Sequence, residues 1–544
     1  MADSSTVYLC YDLKGIQSFI FAVPRLKYIC GGSALIDRFD RDIALGISQE
    51  PKFGLVECLF TGGGKGAFKC PDTPTAEQLM DTLVKEAHQD GLSISFGLDV
   101  RYSEAALQTE RSFPYLPPAT KMGGHPCPES GLYPTEETEH EMIRRRVWQH
   151  DDHLARRYEK ELLEPINVPG ALLDEAERLV FFHEVSEDTE NGRAGHAALG
   201  NRNRWAVITM DGNDMGRQHQ AGKNMAKEQY ESWLQAMSAG LDETTRSACK
   251  QGIAKVIKAW KTDLEKDRTS KNDLFQDFRD GKRNITLPIR PLVVGGDDII
   301  VLCHVSYAMT FVKSVCEAFE HHSRMLAQNR KGGLWPATGD CLTISAGVLY
   351  SPISLPLATA ISYAELLLAS AKSRGREETD GIEPEKNGVP APACVDWESV
   401  TEGVIDTPAA RRQREYIFRD LDCNEKVLLT TRPMTLDEYA ELEVLKNHYR
   451  KIPGTIRHEV LKNLQAAFWD RKVFLARLGK RTHSLVQDLE EGDQPRQPPR
   501  GKWVHRQPDP QRGEQYARRC TPVPDALLLL EEEHRMSFET ILED

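Results

Sequence analysis

One order of elements is written twice in this chain, and it leaves few folds open. In the first copy, VYLCYD (residues 7–12) reads as a strand and GIQSFIFAVPRLKYI and GGSALIDRF as helices. LVECLF and GAFKC flank TGGGK as a hairpin, TAEQLMDTLVKEAHQD is an amphipathic helix, and LSISFGLDVRY is a strand. The same order returns after residue 203. RWAVITMD is the strand, followed by a polar helical stretch with a charged insert, KTDLEKDRTSKNDLFQDFRDGKRN. PLVVGGDDIIVLC is the hairpin, VSYAMTFVKSVCEAFEHHSRMLAQ the helix and CLTISAGVLY the strand; the helix PLATAISYAELLLASAKSRGR closes the copy. A repeated βααββαβ unit predicts two ferredoxin-like α/β (α+β) domains. In both copies an aspartate ends the first strand (Asp12, Asp211) and a Gly-Gly hairpin follows.

The rest of the chain divides around these two units. Residues 121–203 are rich in Glu, Arg, His and Pro, with a helical pattern from about 136 to 163. From about residue 388 the pattern is mostly helical, then a Pro- and Arg-rich linker, then a terminal helix docked by its leucines. The expected organisation is 1–120 and 204–385 for the two repeats, 121–203 between them, 386–490 as a C-terminal helical domain, and 491–544 as linker and terminal helix. On this reading, removal of 405–544 leaves the two repeats soluble.

Composition excludes several classes. The net charge of −13 argues against a general nucleic-acid coat. The 12 cysteines include no CxxC, which fits reduced thiols in a cytoplasmic protein. No apolar run reaches the length of a membrane span, and the N-terminal residues run straight into a strand pattern without a signal peptide.

The chemistry lies in the second copy. A tight turn at GGDD needs only Gly295, Gly296 and one aspartate. Asp298 is a further carboxylate at the head of an otherwise apolar strand, and adjacent like charges at a buried hairpin call for a cation. In a ferredoxin-like sheet the end of the first strand lies beside the hairpin, so Asp211 joins Asp297 and Asp298. Three such carboxylates can hold two divalent ions about 3.5–4 Å apart. An oxygen-only set suits Mg2+ or Mn2+. Gly212 and Gly216 leave room for a phosphate at the start of the next helix. Asp214 caps that helix or helps bind metal. Lys372 and Arg374 either favour their helix C-terminus or, in the case of Lys372, reach a triphosphate. Ser345 and Gly347 pack in a core strand or face the nucleotide.

DLKGIQSFIF followed by GGSALI, then DGNDMG, GGDD, ISAG and AELLLASAK, resembles the large polymerase/cyclase subunit of type III CRISPR effector complexes. The resemblance covers roughly residues 5–120 and 204–376. It implies two palm domains related to GGDEF cyclases and polymerase palms. It implies conversion of ATP into cyclic oligoadenylates or related adenylate messengers when a complex of guide RNA and other effector subunits senses target RNA. By position, Asp211, Asp297 and Asp298 would be the metal ligands, and Gly295 and Gly296 the floor under the nucleotide. Gly212, Asp214, Gly216 and Lys372 would lie around it. Asp12 matches the strand-end aspartate of the first palm, but TGGGK (Thr61 to Lys65) lacks the aspartate pair. The first palm is then expected to hold an acceptor ATP, with Lys65 on its phosphates and Ser33 nearby. The C-terminal helices, about 405–490, would dock other subunits, while the Arg- and Pro-rich stretch 495–519 is placed to touch RNA.

The sequence departs from the family pattern in two places. No HD nuclease domain precedes the first palm, so DNase activity is not expected, and HDDH at His150 to His153 reads as a solvated helical face. The four-cysteine zinc element is reduced to Cys127, with His125 and His140 as helpers, so zinc is not expected. The alternatives are a non-catalytic scaffold for RNA and protein, or a nucleotide cyclase that works outside a CRISPR complex.

Overall fold

The computed structural model describes residues 6–23, 25–116, 203–266, 282–329, 336–337, 339–379, 390–401, 406–420, 425–428, 430–450, 453–455, 457–458 and 523–534, with short pieces at 125–126, 134–135, 161–163, 177–182, 185, 190–200, 275–279, 504–506 and 518–520. Cys127, His140 and His150–His153 lie outside the described residues, as do residues 461–503.

The first domain runs β1 (Val7–Lys14), α1 (Ile16–Ile20), α2 (Leu26–Arg38), β2 (Glu57–Gly62), β3 (Lys65–Cys70), α3 (Thr73–Gln89), β4 (Ser93–Asp99) and α4 (Tyr102–Arg111). Its sheet has the order β2-β3-β1-β4 with antiparallel neighbours. The two-residue period of β1 sets the packing. Val7, Leu9, Tyr11 and Leu13 enter one core, while Tyr8 and Cys10 enter a smaller one with Ala105 of α4 on the other face. The helix α3 starts where Asp72 accepts a hydrogen bond from the Thr75 N–H at 2.8 Å.

The second domain runs β5 (Arg204–Gly212), α5 (Met215–Lys223), α6 (Lys227–Lys266), β6 (Ile289–Gly295), β7 (Asp298–Cys303), α7 (Ala308–Asn329), β8 (Ile344–Pro352) and α8 (Leu357–Thr379). Its sheet repeats the order, β6-β7-β5-β8, again antiparallel. The two ferredoxin-like folds read from the sequence are therefore present.

Beyond β8 the sheet grows by β9 (Cys394–Ser399), parallel to β8, and by β10 (Met434–Thr435). The mostly helical pattern expected from residue 388 misses these strands. The reason is the alternation in CVDWES: Asp396 and Glu398 are fully buried in β9, so the strand does not look like a core strand. Arg412, from α9 (Pro408–Glu415), holds Asp396 with two bonds of 2.9 and 2.5 Å. Arg432 stacks over Trp397 and Tyr416 and bonds Asp525 at 2.9 Å. Asp525 opens α11 (Val523–His534), whose Leu527, Leu529 and Leu530 are buried in the core of the second domain, as expected of the terminal helix. α10 (Leu436–Tyr449) adds Tyr439 and Leu442 to the same core.

One core joins the two domains. Leu9 and Tyr11 from β1 pack in the same cluster as Val207 of β5 and Ile361 and Leu367 of α8. The 40-residue α6 reaches across to the first sheet: Glu231 accepts from Lys69 at 2.6 Å, Gln235 donates to Glu57 at 2.9 Å, and Arg246 pairs with Asp37 of α2 at 2.9 Å.

Candidate active site

β5 delivers Asp211 to the sheet end, opposite Ser345 of β8 in register. The neighbouring hairpin closes with Gly295 paired to Asp298, leaving Gly296 and Asp297 as the turn. Gly296 has φ +59° while Asp297 has no positive φ, the pattern of a two-residue turn with glycine at its first central position. Thr245 of α6 donates to the Gly296 carbonyl at 2.6 Å and ties the turn down. Gly212 is needed for another reason. A Cβ there would stand 2.5 Å from Met215 Cε and 3.0 Å from Asp297 Cβ. A side chain here would displace Met215 and press on Asp297, so glycine suits the close approach that brings Asp211 and Asp297 together. At Gly216 and Gly295 a Cβ would meet open space.

The electrostatics follow from that crowding. Burial pushes the Asp297 carboxyl up to about 8, with the Asp211 charge and hydrogen bond and then Asp298 adding to it. Asp298 is exposed at its surface, yet protein packs closely enough around its carboxyl to desolvate it. The protein around it raises its carboxyl to about 6; Asp211 and Glu365 add to this and Lys372 opposes it. The cation present is Lys372, whose Nζ donates to Asp211 and, at 2.8 Å, to the Gly212 carbonyl. Among the described residues no group of three carboxylate, histidine or cysteine side chains is drawn into a closed ligand set. Lys372 holds the contact on Asp211 instead. The donor set nonetheless fits a hard divalent cation: all ligands are oxygen, negative charge is in surplus, and the contact already made is to a cation.

Other sequence candidates are placed differently. Asp214 adopts φ +56° and makes no side-chain cap; it accepts from the Ala391 N–H at 3.2 Å and pairs with Arg217 at 3.7 Å. Arg374 turns to Glu378 and, at 3.1 Å, Glu438 of α10. Ser345 is fully buried and accepts from the Cys394 N–H at 3.1 Å, and a Cβ at Gly347 would lie 2.1 Å from the Ala364 carbonyl. ISAG therefore packs β8 against β9 and α8. Ser33 faces a cavity of about 60 Å³ between α2 and β6, lined also by Asp37, Arg246 and Arg290; no residue of the TGGGK hairpin lines it.

In the first domain, Lys65 sits opposite Asp12 across the sheet, and Asp12 pairs with Lys14. The charge of Lys65 is felt across the domain boundary. Burial lowers the imidazole pKa of His219 in α5, and the charges of Lys223 and Lys65 lower it further. A second bridge is Gln17 of α1, which donates to Glu365 of α8 at 2.7 Å. Burial pushes Glu365 up, and the Gln17 bond opposes it. Sequence reasoning missed Glu365, although it lies seven residues before Lys372, two turns along one helix face. Thr245 and His219 were missed as well, because only the tertiary fold brings them to the hairpins.

Residues 204–380 match the family model described as Cas10/Cmr2, second palm domain. That match spans the second repeat, from β5 to the end of α8. The same four-stranded order occurs in the first repeat, which the family model does not cover. No curated protein matches the chain. Among solved structures it is similar to Csm1 in the Csm1–Csm4 cassette in complex with cA4, at 16% identity over 68% of this chain and 53% of that chain, with a TM-score of 0.37. It is similar to the cassette in complex with one ATP (16%, 69% and 54%, TM-score 0.38). The Csm1–Csm4 subcomplex of the type III-A CRISPR-Csm interference complex is a further match (15%, 68% and 54%, TM-score 0.36). The chain spans about half the length of these chains. Among its described residues, no helix is long and apolar enough to cross a membrane.

Proposed function

We propose that the chain is an ATP-dependent nucleotidyltransferase of type III CRISPR defence, which joins adenylates into cyclic oligoadenylates or related messengers when its complex senses target RNA. The supporting observation is the convergence of Asp211, Asp297 and Asp298 with Lys372 at the sheet end of a domain that matches the Cas10/Cmr2 second palm.

In this reading Asp211, Asp297 and Asp298 would hold two magnesium or manganese ions, which would supply charge stabilisation at the reacting phosphate and the leaving pyrophosphate. Gly212 keeps Asp211 and Asp297 in reach of each other, and Thr245 fixes the turn that carries Asp297. Lys372 leaves Asp211 for the donor triphosphate, where its ammonium faces phosphate oxygens. The 3′-oxygen of the acceptor attacks the donor α-phosphorus, the bond to the β-phosphate oxygen breaks, pyrophosphate departs, and the 3′-hydroxyl proton is released. The acceptor lies against the first palm. Its hairpin has positive φ at Gly63 and Gly64, a Cβ at Gly62 or Gly63 would meet open space, and Lys65 adds positive charge. Gln17 and Glu365 bridge the two palms, and the Glu365 charge acts on Asp298. Guide RNA, target RNA and other effector subunits are the expected partners.

The experiment is incubation of the purified protein, alone and assembled with guide and target RNA, with ATP and Mg2+, followed by mass spectrometry. Oligoadenylate masses that vanish in Asp297→Ala/Asp298→Ala support the proposal. Unconsumed ATP in every condition, with intact assembly, leaves the scaffold reading.

A further inference from the structure

The first palm's hairpin is held by a carboxylate that lies outside it. Asp40 belongs to the π-helical segment Phe39–Ala44, which continues α2, and is only 2% exposed. Its Oδ2 accepts from the Gly64 N–H at 2.7 Å and its Oδ1 from the Tyr11 hydroxyl at 2.8 Å. The other side of Gly64 is also fixed: its carbonyl accepts from the Leu13 N–H at 2.7 Å. With φ +78° and a would-be Cβ only 2.2 Å from Ile16 Cδ1, this position accepts only glycine. The second palm solves the same problem with Thr245 on the Gly296 carbonyl.

Asp40 forms no ion pair among the described residues. Asp37 from its own helix and Asp242 from α6 face it with like charge. The nearby arginines serve those two: Arg246 pairs with Asp37 and Asp242, and Arg41 with Asp37 and Glu161. Tyr11 from β1 is the other titratable group in contact. A buried carboxylate without a cation destabilises a fold, and π-helical turns recur at functional sites. We propose that Asp40 is a positioning residue for the acceptor palm: by taking the Gly64 N–H it clamps the Gly63–Gly64 peptide and fixes the turn that presents Gly63 and Lys65 to an incoming phosphate. This rests on the acceptor reading of the first palm.

The clamp is sensitive to pH. Burial pushes the Asp40 carboxyl up to about 7, while its bonds from Gly64 and Tyr11 pull it down. Ionised, it accepts two charge-assisted bonds; protonated, it keeps one neutral acceptor, roughly half as strong. The hairpin is held most firmly above pH 7.

The test is hydrogen–deuterium exchange of peptides covering residues 61–65 in the full chain, with and without ATP, at pH 6 and pH 8.5. Asp40→Ala should speed exchange about tenfold at pH 8.5, and Asp40→Asn, which cannot ionise, about threefold at pH 8.5 but hardly at pH 6. ATP protection of the hairpin should fall in Asp40→Ala and recover in part in Asp40→Asn. Exchange within twofold of wild type in Asp40→Ala, or an Asn variant that differs equally at both pH values, overturns the proposal. A wild-type hairpin that ATP never protects overturns the acceptor reading separately, since exchange without nucleotide still reports the clamp.

Discussion

Replacing Asp297 by asparagine should make the metal-free protein more stable and abolish its turnover. Asp297 carries a carboxyl raised to about 8 from an ordinary 3.8. The sign follows from proton uptake. Between these values the folded state binds the proton that the unfolded state has lost, so rising pH works against the fold. The cost is absent below pH 4, grows through pH 4–8, and is full above pH 8. Four pKa units would amount to about 6 kcal/mol if assigned to this residue alone. The repulsion is shared with Asp211 and the site is half open to solvent, so about 2 kcal/mol at pH 8.5 is the expected gain. The assay is urea unfolding in EDTA at pH 5 and 8.5. Asp297→Asn should exceed wild type at pH 8.5 by about 2 kcal/mol and by much less at pH 5. In millimolar Mg2+ the order should reverse, because ions that bind only the folded wild type stabilise it. Turnover should fall by at least about 100-fold, as expected when site electrostatics are lost. A variant no more stable than wild type at pH 8.5 in EDTA, or one keeping a substantial share of activity, refutes the reasoning.

Lys65→Glu should reduce product formation about tenfold or more while leaving Mg-ATP binding at the second palm within about twofold, read by isothermal titration. Asp525→Ala removes one of the two carboxylates that pair with buried Arg432, and also the acceptor for Thr430 and Thr431, and should cost about 3 kcal/mol in denaturant unfolding, with loosened protection of α11 in hydrogen exchange. Removal of residues 405–544 should yield an aggregating product in size-exclusion chromatography. The sequence reading expected soluble repeats from that cut, but Met434, Tyr439, Leu442, Leu527 and Leu530 complete the second palm's core.

The two repeats were legible because hydrophobic period and glycine hairpins are local signals. β1 and β5 are short, nearly continuous apolar runs that end in an aspartate, and GGDD and TGGGK mark the hairpin turns with residues that tolerate positive φ. The proximity of Asp211 to the hairpin was legible too, since the strand order fixes it. β9 was not, because its buried Asp396 and Glu398 look like solvent-facing residues until Arg412 and Arg432 are placed beside them. The roles of Asp214, Arg374 and Ser345 were open for the same reason: each is decided by a partner remote in sequence, Ala391, Glu438 and Cys394. Asp40 gave no signal at all. Its neighbours Asp37 and Arg38 make it read as one more charge on a helix, and only the return of Gly64 to its carboxylate shows what it holds.

The central claim is that the second palm carries the metals and the donor nucleotide while the first palm faces it with the acceptor. A crystal structure with Mn2+ and a non-hydrolysable ATP analogue, read by manganese anomalous scattering, tests it most directly. The account predicts two peaks about 3.5–4 Å apart among Asp211, Asp297 and Asp298, Lys372 moved onto a triphosphate, and a second nucleotide against Gly62–Lys65. Manganese bound elsewhere, or a nucleotide on one palm only with the other hairpin turned away from the cleft, would contradict it.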